Sequence, residues 1–308
     1  MITGATGFIG SALVEALSHR GECVIAVARR PPQSASPGTR WVEADIRHFN
    51  GWPELLDGVR TVYHLAWSSL PASSNNDPVG DASDNVIGSL QLLEAVKAKP
   101  DIRFVFASSG GTVYGPLQTG RATEMHPTRP NCAYGVSKLA VENYINLYAS
   151  LWGLNGVSLR MSNPFGPTQD TQRNFGAVTT FIRRALAGEA IPIYGNGAVI
   201  RDFLYISDVV DALIAARQIQ GGAPVLNIGS GIGHSLIEVV ETIAAVLGRR
   251  VPIRYLPARQ FDVPVSVLDI SLAYATMSWA PKVKFYDGVA ATAADLQRTL
   301  PAAQRAPG

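Results

Sequence analysis

Short apolar runs and helical stripes alternate along the first half of the chain. After a glycine turn at residues 4–10, Leu13, Val14 and Leu17 recur at helical spacing. Cys23-Val24-Ile25-Ala26-Val27 is then a continuous apolar run, the pattern of a strand buried on both faces. Residues 41–45 and 62–66 predict a third and a fourth strand. Val86, Leu90, Leu93 and Val96 share one face of a helix predicted over 85–97, which Pro100 ends. Residues 104–107 and 156–160 supply a fifth and a sixth strand, and Leu139, Val141, Ile145 and Leu147 mark a helix between them. Beyond about residue 164 the pattern loosens, punctuated by Pro164, Gly166, Pro167, Pro192, Gly195 and Gly197. Helices are predicted there over 178–187, 207–218 and 235–247, the last with Ile237, Val240, Ile243 and Val246 toward the core.

Such alternation predicts an α/β fold, a doubly wound parallel sheet of Rossmann type with helices on both faces. Ligands then bind at the carboxyl ends of the strands, near the switch in strand order. The boundaries predicted are a first domain over 1–164, a smaller mixed α/β lobe over 165–301 interleaved with the last sheet strands, and a frayed tail over 302–308. Only Met1 to Thr3 precede the glycine turn, which predicts a shortened first strand or a start codon read a few residues late.

Composition narrows the classes. Of 308 residues, 47% are hydrophobic and 16% charged, which excludes a disordered chain. A net charge of +2 gives no electrostatic case for nucleic acid. Cys23 and Cys132 lie far apart, predicting neither a disulfide framework nor a metal cage and fitting a reducing, cytoplasmic setting. No apolar run reaches the length of a membrane span, and no basic segment with an apolar stretch opens the chain.

Gly4, Gly7 and Gly10 lie between a strand and a helix, where a phosphate-binding turn needs them. Gly4 allows the tight turn, Gly7 lets a pyrophosphate approach the backbone, and Gly10 lets helix and sheet pack closely. The helix behind them offers free N–H groups and a positive dipole end. A dinucleotide site often carries an acid about 20 residues further on, for the adenosine ribose. Here the second strand runs out as Val27-Ala28-Arg29-Arg30-Pro31, with no acid. Guanidinium forks suit a ribose phosphate, so Arg29 and Arg30 lean an NAD(P) site towards NADP.

Tyr134 and Lys138 are four apart, so both project from one helical face. A free phenol ionises near pH ~10, and an ammonium beside it favours the phenolate. With a nicotinamide cation adding to that field, Tyr134 is placed to take a proton from an alcohol. Ser108 and Ser109 close the fifth strand, where such chemistry is expected.

Together, Gly4-Ala5-Thr6-Gly7-Phe8-Ile9-Gly10, His64-Leu65-Ala66, Asn85, Ser108-Ser109-Gly110-Gly111-Thr112-Val113-Tyr114-Gly115 and Tyr134 with Lys138 resemble the extended short-chain dehydrogenases/reductases. The nearest likeness is to nucleotide-sugar epimerases of the UDP-glucose 4-epimerase type. It continues through Arg160-Met161-Ser162-Asn163-Pro164-Phe165-Gly166-Pro167, Tyr194-Gly195-Asn196-Gly197 and Arg201-Asp202-Phe203-Leu204-Tyr205-Ile206-Ser207-Asp208. Asn227-Ile228-Gly229 and Arg259-Gln260-Phe261-Asp262-Val263-Pro264 complete it.

The resemblance implies that Gly4, Gly7, Phe8, Ile9 and Gly10 surround the pyrophosphate, that Asp45 and Ile46 hold the adenine, and that Leu65 and Ala66 line the cofactor's path. Tyr134 is then the catalytic base, with Lys138 its partner on the nicotinamide ribose. Asn163 and Arg201 face the diphosphate of a nucleotide-sugar substrate, Arg259 and Asp262 close on its nucleotide, and residues 192 to 194, ending in Tyr194, flank its base. The family's catalytic hydroxyl falls on Ser109 counted forward from the fifth strand, and on Gly110 counted back from Val113-Tyr114-Gly115. Glycine has no hydroxyl, so Ser109 is expected to act, with Thr112 in reserve.

The implied activity is a 4-epimerase of UDP- or dTDP-hexoses, working by reversible hydride transfer through a 4-keto sugar. The alternative is an NADPH-dependent 4-ketosugar reductase, which Arg29 and Arg30 favour. A 4,6-dehydratase would carry an adjacent Asp-Glu pair where this chain has Gly110-Gly111-Thr112. A non-catalytic cofactor sensor would have no need of the Tyr134/Lys138 pair. Family members often dimerise through two helices each, here 85–97 and 137–151, so a homodimer is expected. His64, Asp202 and Asp208 read as structural, while Trp67 and the loop through Pro78 read as a cover for the sugar.

Overall fold

The computed structural model describes residues 1–32, 38–117, 120–169, 176–219, 221–258 and 263–299. Strands of the first half are β1 (Ile2–Thr3), β2 (Val24–Ala28), β3 (Thr39–Glu43), β4 (Thr61–His64), β5 (Arg103–Ser109) and β6 (Asn155–Met161). Then come β7 (Asn163–Phe165), β8 (Ile191–Tyr194), β9 (Ile200–Tyr205), β10 (Val225–Ile228), β11 (Gly233–Ser235), β12 (Ile253–Leu256) and β13 (Val265–Ser266).

Seven of these form one parallel sheet in the order β10-β6-β5-β4-β1-β2-β3. The chain winds outward from β1 through β2 to β3, then returns to β4 on the other side of β1. The switch in strand order therefore falls between β1 and β4, where a doubly wound sheet opens its crevice.

Alternation along β5 builds a core on each face. Phe104 and Phe106 pack with Leu92, Leu93, Val96, Val141 and Ile145, under the helices Gly88–Lys97 and Ala133–Trp152. Val105 and Ala107 pack on the other face with Leu13, Val14, Leu17 and Leu213, under Phe8–His19 and Ile206–Ala216. Beyond β6, β9 pairs with β7, β11 and β13, and β8 pairs with β12. Val178, Ile182, Ile193, Phe203, Val240 and Val289 form the core beneath these smaller sheets.

The first strand is short, as expected, at Ile2–Thr3, yet Ile2 is registered with both Ala26 and Tyr63. Two helical expectations need correction and a third gains a residue. Residues Ala82–Ile87 wind as a π-helix before the α-helix Gly88–Lys97, and Asn85 turns inward, bonding Asp81 and accepting the Ser68 N–H. In Leu236–Leu247 the four expected residues do face the core, Val240 and Ile243 buried in it and Ile237 and Val246 packed against it, and Val239 joins them because a strict three-residue step drifts around a 3.6-residue helix. In Ala133–Trp152 the buried ridge is Val141, Ile145 and Tyr148, and Leu147 is 45% exposed.

Candidate active site

The glycine turn sits at the switch point. Gly4 has φ +69°, and a Cβ there would come 2.7 Å from the Ala66 nitrogen, so the ends of β1 and β4 touch through backbone alone. Gly7 is the extended residue before the helix Phe8–His19, with no side-chain cap and no acid in the first turn. A Cβ at Gly10 would overlap the Gly4 carbonyl. The first-turn N–H groups of Phe8, Ile9 and Gly10 thus face the crevice mouth without a capping side chain, a cradle that fits a pyrophosphate.

Arg29 and Arg30 follow β2 and are both exposed. Asp45 and Ile46 lie just past β3. The Asp45 carboxylate is gripped by Arg47, whose Nε donates to Oδ1 at 2.8 Å; that bond holds Asp45 at about 2. Arg47 also reaches Asp84 at 3.3 Å. Arg47 escaped the reading of the sequence, although its place two residues after an acid is a local pairing signal. Ile46 lies against Gly88, where a Cβ would come 3.2 Å from its Cδ1.

Helix Ala133–Trp152 carries the second part of the site. Its first N–H groups are capped from the end of the short helix Pro71–Ser74: Ala133 N donates to Asn75 Oδ1 at 2.8 Å and Tyr134 N to Ser74 Oγ at 3.0 Å. Lys138 is 3% exposed, and its Nζ donates to the Ala107 carbonyl at 2.7 Å, near the carboxyl end of β5. The same Nζ lies 3.6 Å from the Trp67 ring centroid, 4.9 Å from Phe106 and 5.5 Å from Tyr134. Trp67 also meets the Tyr134 ring edge-on at 5.8 Å. Contacts therefore run from Gly4 to Ala66, through Trp67, to Tyr134 and Lys138, so the phosphate turn and the Tyr–Lys pair share one crevice.

The electrostatics differ from the expectation. Burial pushes the Tyr134 phenol well above its ordinary value, and the Asp81 and Cys132 charges add to that. Burial likewise pulls Lys138 well below the usual lysine range. Helical spacing alone does not acidify the phenol, because desolvation is the largest influence on both groups.

The two serines part company. Ser108 donates to the buried Glu142, which is held by Arg160 through Nη2 at 2.6 Å. Arg160 continues to the Tyr114 hydroxyl at 3.0 Å, and Tyr114 donates to Asn227 at 2.6 Å. Ser109 ends β5, is half-buried, and has no side-chain hydrogen bond among the described residues. A Cβ at Gly110 would run into the Leu268 side chain at 2.6 Å, so that position points into packing. The Thr112 hydroxyl is buried with no partner among the described residues. Its carbonyl lies 2.8 Å from where a Gly135 Cβ would stand, so this turn abuts the first turn of the tyrosine helix.

On the other side of the fold, Asn163 opens β7 and donates to the Asp202 carbonyl at 2.9 Å. Arg201, on the paired strand β9, donates to the Val263 carbonyl at 2.6 Å, and Tyr194 ends β8 half-buried. Arg259 and Asp262 lie outside the described residues. His64 is fully buried between Thr3 and Ser89, each at 2.8 Å, and burial lowers it to about 3. Asp202 accepts the N–H groups of Ser230, Gly231 and Leu268, and Asp208 those of Lys282 and Val283; both carboxylates hold loops.

Sheet, glycine turn and Tyr–Lys helix define a dinucleotide-dependent enzyme of the Rossmann type. The chain belongs to the NAD dependent epimerase/dehydratase family, whose profile matches residues 1–229. It is 33% identical over 301 residues to the UDP-glucose 4-epimerase of Mycolicibacterium smegmatis, covering 95% of this chain and 96% of that protein. Its fold is similar to that of the UDP-glucose 4-epimerase of Thermotoga maritima solved with UDP-glucose, with TM-score 0.92, 32% identity and coverage of 97% and 99%. The Thermus thermophilus UDP-glucose 4-epimerase in complex with NAD superposes with TM-score 0.89, 34% identity and the same coverage.

Proposed function

We propose that this protein interconverts the 4-epimers of a nucleotide-linked hexose, with a UDP-hexose as the first substrate to try. The observation that supports it most is the single crevice joining the Gly4–Gly10 cradle to Tyr134 and Lys138. Near-full-length likeness to UDP-glucose 4-epimerases supports it over a 4-ketosugar reductase.

In this reading Tyr134 takes the proton of the sugar's 4-hydroxyl, Ser109 donates a hydrogen bond to that oxygen, and Lys138 holds positive charge beside the phenol. A bound nicotinamide dinucleotide supplies the hydride acceptor and, oxidised, a further positive charge. Gly4, Gly7, Phe8, Ile9 and Gly10 bind its pyrophosphate, Leu65 and Ala66 border it, and Asp45 and Ile46 lie on the adenine side. Asn163, Arg201 and Arg259 bind the substrate's diphosphate, with Tyr194 and Asp262 nearer its nucleotide. Residues 1–164 then act as the cofactor domain and 165–301 as the lobe that selects the sugar nucleotide. The protein works as a homodimer in the cytoplasm; among the described residues no helix is long and apolar enough to cross a membrane.

Turnover of UDP-glucose and UDP-galactose by purified protein without added cofactor is the test. Activity that needs stoichiometric NADPH would reject the epimerase. Exposed Arg29 and Arg30, with no acid at the end of β2, support NADP, whereas the Thermus relative was solved with NAD. The Arg29→Ala/Arg30→Ala variant is expected to bind NADP about tenfold or more weakly with NAD little changed, measured by calorimetry.

A further inference from the structure

Lys138 is buried with an aromatic ring against its amine. As an ammonium it has three protons to donate: one goes to the Ala107 carbonyl at 2.7 Å, and the others are free for the nicotinamide ribose of the proposed cofactor. Water contributes little to a side chain that is 3% exposed. The nearby carboxylates Glu142 and Asp81 favour the protonated amine through space, but their hydrogen bonds go elsewhere. Glu142, on the same helix, holds Arg160 and Ser108. Asp81, from the segment before the π-helix, accepts from Ser137 at 2.5 Å, from Asn85 at 3.1 Å and from Ser69. His64, facing from β4, is held neutral by burial, and Tyr134 is an uncharged phenol. What lies against the rest of the ammonium is aromatic: Trp67 with its centroid at 3.6 Å and Phe106 at 4.9 Å.

We propose that Trp67 is a positioning residue for proton transfer, its indole face roofing Lys138 and keeping that side chain an ammonium beside Tyr134. Indole is the strongest aromatic partner for a cation, and the attraction is greatest where water is excluded. The ring is well anchored. Ala66, its neighbour in sequence, abuts Gly4, and the indole packs on Phe106 at 6.0 Å and on Tyr134 at 5.8 Å. One ring thus fixes the distance between phenol and ammonium and offsets part of the desolvation that works against the charge. The sign follows. A cation–π contact stabilises only the protonated amine, so weakening it makes Lys138 lose its proton at lower pH. Tyr134 then loses the positive charge that favours its phenolate.

The proposal rests on the reading of Tyr134 and Lys138 as the proton-transfer pair, but it is tested without turnover. The chain has five lysines, Lys97, Lys99, Lys138, Lys282 and Lys284, so the 13Cε resonances of labelled, cofactor-loaded protein can be assigned with a Lys138→Met variant. Their pH titration reads the Lys138 midpoint directly. Trp67→Leu is expected to lower it by about one pH unit, a tenfold loss of proton affinity, with Trp67→Phe between. Should Trp67→Leu fail to fold, fluorinated tryptophans placed at position 67 alone keep the shape while draining the ring's negative face. Their midpoints should fall stepwise with each fluorine. An unchanged midpoint across the folded members of either set overturns the role. Absence of any UDP-hexose turnover in the wild type would sink the epimerase reading and leave this titration intact.

Discussion

Ser108 donates its hydroxyl proton to Glu142, inside a buried chain that runs on through Arg160 and Tyr114 to Asn227. Ser109, one residue later, has no such commitment. Their alanine variants should therefore fail in different ways. Ser108→Ala is expected to lose about 1–3 kcal/mol of stability in a denaturant melt, because Glu142 and Arg160 keep their charges with one donor fewer. Ser109→Ala should melt like the wild type and lose about 100-fold in kcat. If Thr112→Ala were the one to lose turnover, its buried hydroxyl, unpartnered among the described residues, would be the donor instead. His64 makes a separate prediction. Unfolded it titrates near 6.5, while folded it is lowered to about 3. Between those values the unfolded chain binds a proton that the native protein refuses, so stability is full above about 6.5 and falls as the pH drops. The expected slope is about 1.4 kcal/mol per pH unit, read from denaturation curves, and His64→Gln should flatten it.

At the level of elements, the turn from β1 into Phe8–His19 is the most demanding piece of backbone in the site. Gly4→Ala must place a Cβ at φ +69° and within 2.7 Å of the Ala66 nitrogen. Left-handed strain of about 1–2 kcal/mol comes on top of a backbone collision. The variant is expected to lower the melting temperature as well as cofactor affinity, and thermal melts with and without dinucleotide separate the two. This turn was legible from three glycines because a Cβ at Gly4 or Gly10 would collide with backbone and one at Gly7 would press on the Gly4 carbonyl. Strands β2 and β5 were legible because their runs are apolar on both faces, and β6 because Val157, Leu159 and Met161 alternate with Gly156, Ser158 and Arg160. Helix Phe285–Thr299 gave no usable stripe, since its buried residues include Gly288, Thr292 and Ala293 beside a single Val289. The π-helix at Ala82–Ile87 was hidden because its cause is tertiary: Asn85 is drawn inward by Ser68, Ser69 and Asp81, residues up to 17 positions away. Likewise Tyr134 and Lys138 were found by spacing, but the burial that moves both protons the wrong way depends on what packs around them. Trp67 read as a sugar cover, whereas its ring lies on the ammonium.

Across the whole molecule, helix Ala133–Trp152 faces two ways. Val141, Ile145 and Tyr148 enter the core beneath the sheet. Val136, Tyr144, Leu147 and Leu151 lie outward and are 54%, 36%, 45% and 59% exposed. Their steps of eight, three and four residues match a packing seam, with Ala140 filling the gap at four. An apolar seam left in water on a monomer is unusual, and facing helices of a second copy would bury it. Trp152, 45% exposed, ends this helix, and Ile87, 51% exposed, precedes Gly88–Lys97. Lys97 lies over the Trp152 ring at 4.6 Å, linking the two helices across it. A two-fold pairing here would bury both helices of each copy on the side away from the sheet. Leu147→Glu/Leu151→Glu would put buried, unpaired charges at the centre of such a pairing while leaving the folded monomer untouched. Sedimentation velocity is expected to show a dimer for the wild type and a monomer of unchanged circular dichroism for the variant. A wild type that sediments as a monomer at tens of micromolar would mean that this seam meets something other than a second copy.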